Sequence, residues 1–94
     1  MSLIATSRHS ATSRVAFDSK ASQTATLVEI IAEDRPGLLY DVASAMSTAG
    51  ANIEVVLIDT QAHKAIDVFY VTAGGAKLSP EKQEELGAAL QAVV

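Results

Sequence analysis

The chain has no cysteine and no tryptophan, and only two prolines, two histidines, two phenylalanines and two tyrosines. Without cysteine there is no disulfide framework and no thiolate chemistry, which suits a reducing cytoplasm. No apolar run approaches the roughly 20 residues that a membrane-crossing helix needs, so no membrane partner is expected. The opening Leu3-Ile4-Ala5 is too short for a signal-peptide core. Arg8 and Arg14 among serines and threonines faintly resemble a transit peptide, but an expression leader or interdomain linker fits better. His9 and His63 lie far apart with no third ligand at metal spacing, so no metal site and no cofactor are expected. Basic residues are scarce where they would matter most. The net charge of -4 conceals an acidic body, because after Ala25 there are only four basic residues. That argues against a nucleic-acid surface, which needs clustered Lys and Arg.

What remains is one small domain. A chain of 94 residues buries only about 60 to 65 per cent of its unfolded surface, so a partner would help it. Residues 1–13 are rich in Ser, Thr and Ala without periodicity and read as a disordered leader or linker; residues 14–94 read as the domain. Arg14 to Asp18 places Val15 and Phe17 on one face of a short strand, which pairs antiparallel with a strand over Thr26–Ala32. Further strands follow at Asn52–Thr60 and Lys64–Thr72, joined by a hairpin connection through Thr60-Gln61-Ala62-His63. Both faces of these strands carry apolar residues. Either the second face meets another chain or domain, or the sheet tolerates scattered exposed aliphatics. Ala73-Gly74-Gly75-Ala76-Lys77 reads as a flexible link to Ser79-Pro80-Glu81, which caps and opens a helix lined by Leu86, Leu90 and Val93 and weakened by Gly87.

The stretch that organises the rest is Glu33-Asp34-Arg35-Pro36-Gly37-Leu38-Leu39-Tyr40. Arg35 should be extended before a proline, and Pro36 should occupy the first helical position. The helix continues through Leu38, Leu39, Val42, Ala43, Met46 and Ala49, and Gly50 ends it. First-turn amides at Gly37, Leu38 and Leu39 lack partners within such a helix and lie at its positive end. Two readings stay open: the amides hold a carboxylate, or Asp34 caps them and Gly37 merely eases packing.

The run Leu27–Ala32, Asp34-Arg35-Pro36-Gly37-Leu38-Leu39-Tyr40, Gly50-Ala51-Asn52-Ile53 and Asp67-Val68-Phe69-Tyr70-Val71-Thr72 resembles an ACT domain. More narrowly it is similar to the C-terminal ACT domain of bacterial PII uridylyltransferase/uridylyl-removing enzymes. The resemblance implies an α+β, ferredoxin-like sandwich with two helices on one face of a four-stranded antiparallel sheet. Arg14–Asp18 then fills the edge position that the usual last strand takes, giving the spatial order Arg14–Asp18, Thr26–Ala32, Lys64–Thr72, Asn52–Thr60. It also implies a regulatory module that binds an amino acid, glutamine first, between the turn and the neighbouring strand, often across a pair of ACT domains (homodimer or tandem copy). By position, Asp34 meets the ligand's ammonium group and Gly37, Leu38 and Leu39 offer amides to its carboxylate. Asn52 bonds the ligand or bridges to the turn, Pro36 counts among the ligand-binding residues, and Arg35 lies across the mouth or points to water.

No catalytic residues are expected, because neither a nucleotidyltransferase carboxylate set nor a metal-binding His-Asp pair is present. Acylphosphatase chemistry would need a phosphate-cradling loop, for which Arg35 and Asn52 are a poor substitute. An RNA-binding module of this topology would show aromatics amid Lys and Arg, whereas Phe69 and Tyr70 stand beside Asp67. The serious alternative is a structural dimerisation or interdomain-contact module without ligand.

Overall fold

The computed structural model describes residues 13–94; the leader, with His9, lies outside the described residues except for its last residue, Ser13, which is buried. Six elements follow in order: β1 (Arg14–Asp18), β2 (Thr26–Glu33), α1 (Leu38–Thr48), β3 (Asn52–Gln61), β4 (Lys64–Thr72) and α2 (Pro80–Val93). All strand pairs are antiparallel and the sheet order is β1-β2-β4-β3. This is the ferredoxin-like arrangement expected, with β1 at the edge beside β2.

The strands form because apolar and β-branched residues alternate over them. In β2 the buried set is Thr26, Val28, Ile30 and Ala32, and in β4 it is Ala65, Asp67, Phe69, Val71 and, at the strand's end, Thr72. The apolar members of these sets meet Leu38, Val42 and Met46 of α1 and Leu86 and Leu90 of α2 in one core. Each fully buried large aliphatic or aromatic side chain contributes about 1.5 to 3 kcal/mol of transfer free energy. Thr26 is tolerated there because its Oγ1 accepts from the Leu78 amide at 2.9 Å.

Three local expectations are corrected. The hairpin between β3 and β4 is shorter than Thr60–His63: β3 runs through Gln61, and only Ala62 and His63 form the turn, with Ala62 at a positive φ of 58°. The stretch after β4 is no flexible link. Ala73 and Ala76 exchange backbone hydrogen bonds at 2.8 and 3.2 Å, closing a two-residue turn in which Gly74 and Gly75 both have positive φ. Gly87 does more than weaken its helix, because a Cβ there would stand 3.3 Å from the Phe17 ring; the missing side chain lets β1 approach α2.

The second face of β2 and β4 is half-buried, so the exposed apolar surface is concentrated on β3. All ten residues of that strand are exposed, including Val55, Val56, Leu57 and Ile58. Among the described residues its outer edge has no strand beside it. Among the described residues no helix is long and apolar enough to cross a membrane.

Candidate functional site

Between β2 and α1 the chain turns through Arg35-Pro36-Gly37-Leu38. The Leu38 amide donates to the Arg35 carbonyl at 3.2 Å, and Gly37 has φ 83° and ψ -4°. These are the features of a type II turn, with proline at its second position and glycine at its third, where positive φ is required. Pro36 is therefore in the turn and not in the first helical position, and α1 begins at Leu38. Gly37 serves conformation here. A Cβ on it would meet only the Arg35 guanidinium, at 3.9 Å.

The turn leaves the helix tip open. No side chain caps α1, so Asp34 does not close it. The Asp34 amide instead donates to the His63 carbonyl at 2.8 Å, fastening the β3–β4 hairpin beside the turn. The Leu38 amide is used within the turn. Among the described residues, the amides of Gly37, Leu39 and Tyr40 donate to no acceptor.

Below the tip is an open cavity of about 320 Å³. Asp34, Arg35, Gly37, Leu38, Leu39 and Tyr40 line one side, and Ile58, Thr60, Ala65 and Asp67 of the β3–β4 hairpin line the other. The cavity thus brings together five of the seven residues anticipated for a ligand. Pro36 is exposed and outside the lining. Asn52 is exposed at the start of β3 opposite Thr72, six residues from Ile58 and so about 20 Å along the strand. Arg35 lines the cavity and stays exposed, with its guanidinium held by the protein. Its Nη2 donates to Asp41 at 3.0 Å and to the Val93 carbonyl at 2.7 Å.

Sequence reasoning passed over Tyr40 as an amide donor and Asp67 as a site residue. Asp67 is 2% exposed, and its Oδ1 has no hydrogen-bond partner among the described residues. Burial, and then the negative charge of Asp34, push its carboxyl above the ordinary carboxylate value. The signal was present in β4, where a carboxylate stands in phase with Ala65, Phe69 and Val71 on the core-facing side.

This sheet order, two helices and an uncapped turn at the head of α1 define an ACT-like α+β module. The chain belongs to the ACT-like domain family, and the matching profile, described as "ACR9-like, ACT-like domain", covers residues 14–94. Among curated proteins it is similar to bifunctional uridylyltransferase/uridylyl-removing enzymes. The relative from Phenylobacterium zucineum is 42% identical over 85 residues, which is 88% of this chain and 9% of that enzyme. That from Gluconobacter oxydans is 48% identical over 58 residues, 62% of this chain and 6% of the enzyme. That from Caulobacter vibrioides is 38% identical over 82 residues, 85% and 9% respectively. The chain spans less than a tenth of the length of these relatives.

Proposed function

We propose that this ACT domain senses a free amino acid, with glutamine the first candidate, and that in a longer parent it controls an attached uridylyltransferase/uridylyl-removing enzyme in the cytoplasm. The observation that carries this reading is the uncapped helix tip, whose free amides adjoin a cavity lined by Asp34 beside the tip and by Asp67 on the opposite side. An amino acid is a zwitterion of matching polarity. Its carboxylate faces the amides of Leu39 and Tyr40 at the positive end of α1, and its ammonium group faces the acidic side, with Asp34 at the rim.

A second ACT domain completes the site. A ten-residue edge strand with five exposed aliphatics is a template for pairing. An antiparallel pairing of two β3 strands centred between Val55 and Val56 sets Asn52 of the partner subunit opposite Asp59, next to the cavity residues Ile58 and Thr60. Asn52 then reaches the ligand across the pair and not within one copy.

The mechanism is linkage. A ligand that binds only the folded, paired form at a hundred times its dissociation constant stabilises that form by about 2.7 kcal/mol, and the same preference biases the arrangement of attached domains. Thermal melting with each of the twenty amino acids tests this: one or a few should raise the midpoint, glutamine first. A flat profile at millimolar ligand, with dimers present in sedimentation, favours the rival reading of a pairing module without ligand, which the exposed β3 edge supports equally.

A further inference from the structure

The candidate site contains one feature that an amide-lined helix tip does not explain, the carboxylate of Asp67. It lies on the core-facing side of β4, between Ile30 of β2 and Ile58 of β3 in the sheet register. A carboxylate in such surroundings without a partner carries a heavy desolvation cost, and buried carboxylates in native proteins are paired. Asp67 has no such partner among the described residues, yet it lines a cavity open to solvent. Arg35, the cation on the facing side of the cavity, directs its donors to Pro36, Asp41 and Val93.

We propose that Asp67 receives the primary ammonium group of the ligand, with Asp34 an outer, solvated contributor at the rim. This deepens the amino-acid reading above and rests on it. The cavity then has donors, the amides of Leu39 and Tyr40, and an acceptor, the Asp67 carboxylate, with the apolar residues Leu38 and Ile58 also in its lining. An α-amino acid presents an acceptor and a donor of that kind on adjacent atoms. A metal ion is a poorer occupant. Calcium asks for six or more oxygen ligands, and no group of three or more His, Cys, Asp or Glu able to hold a metal exists among the described residues.

Asp34 and Asp67 act differently because their surroundings differ. Asp34 is exposed, and an exposed ion pair gains little over hydration. Asp67 is already stripped of water, so an ammonium ion meets it in a medium where charge-assisted hydrogen bonds are strong. The site therefore discriminates amino acids from their des-amino counterparts chiefly through Asp67.

The test compares the wild-type domain, Asp67→Asn and Asp34→Asn by titration with L-glutamine, then with the other nineteen amino acids. The Leu39 and Tyr40 amide resonances report binding. The des-amino analogue of glutamine, 4-carbamoylbutanoate, is titrated in parallel. Asp67→Asn is nearly isosteric, and its melting curve verifies that it is folded. The expected result is a weakening of about ten- to hundredfold in Asp67→Asn, the scale of a hydrogen bond to a charged group, with loss of the preference for glutamine over its analogue. Asp34→Asn should change affinity by less than about fivefold. Wild-type affinity in Asp67→Asn, or an equal loss in Asp34→Asn, overturns the assignment and leaves the amino-acid reading standing. If none of the twenty amino acids moves the wild-type resonances, both fall together.

Discussion

Arg35 Nη2 lies 2.7 Å from the carbonyl oxygen of Val93, so the turn that opens helix α1 is fastened to the last turn of helix α2. The same nitrogen pairs with Asp41 at 3.0 Å, with both side chains about two-fifths exposed. The ion pair itself adds little at that exposure. The bond to a helix C-terminal carbonyl counts for more, since a cation there also opposes the negative end of the helix.

Arg35→Gln should therefore loosen the end of α2 before anything else. A loss of about 0.5 to 1.5 kcal/mol is expected, with faster hydrogen exchange at the Val94 amide, which donates to Leu90. Exchange unchanged at that amide would show the contact to be idle.

Gly37→Ala tests the turn. With φ at 83° an alanine costs about 1 to 2 kcal/mol, and each kcal/mol lowers the melting midpoint of a domain this size by about 4 to 8 °C. The added methyl meets no atom closer than 3.9 Å, so the fold should survive. Gly37→Asn should lose less than Gly37→Ala, because asparagine tolerates positive φ; equal losses would point to crowding instead.

Ala62 occupies the β3–β4 turn at φ 58°. Ala62→Gly removes that strain while adding freedom to the unfolded chain, and the net expectation is a gain of about 0.5 to 1 kcal/mol. A lower midpoint would mean that Ala62 adopts its conformation without strain.

Asp67 makes stability depend on pH. Its pKa in the fold is raised by burial and by Asp34, so the folded chain retains a proton that the unfolded chain has released. The stabilisation is full at acid pH below the unfolded value and is lost as pH rises through the folded value. Asp67→Asn has no such group. Its midpoint relative to wild type should therefore rise between acid and neutral pH, and a constant difference would show that Asp67 does not titrate abnormally.

Leu57 is 56% exposed on the edge strand β3. Leu57→Lys should abolish pairing in sedimentation with little change in the monomer's melting, since charge on an edge strand blocks strand addition. Dimers that persist would place the contact elsewhere.

The elements of the fold were legible because each rests on a local rule. Alternation over Thr26–Ala32 and Lys64–Thr72 predicts strands, Ser79-Pro80 starts a helix, and Leu86 and Leu90 share one side of it. The sheet order came from resemblance and not from periodicity. Within the candidate site, the place of Asp34, Gly37 and Leu39 was readable from the Pro-Gly pair. The set of free amides was not, because it depends on whether proline enters the helix or a type II turn, and one hydrogen bond from Leu38 to Arg35 settles that.

Sequence by itself determined the order and type of the strands and helices and the acidic character of the body, since these follow from side-chain chemistry and local periodicity. Only the tertiary structure decided that Asp67 stands unpaired in a cavity with the helix tip, that Asn52 lies at the far end of its strand and that β3 is bare. Those are relations between residues distant in the chain, set by how the sheet is ordered.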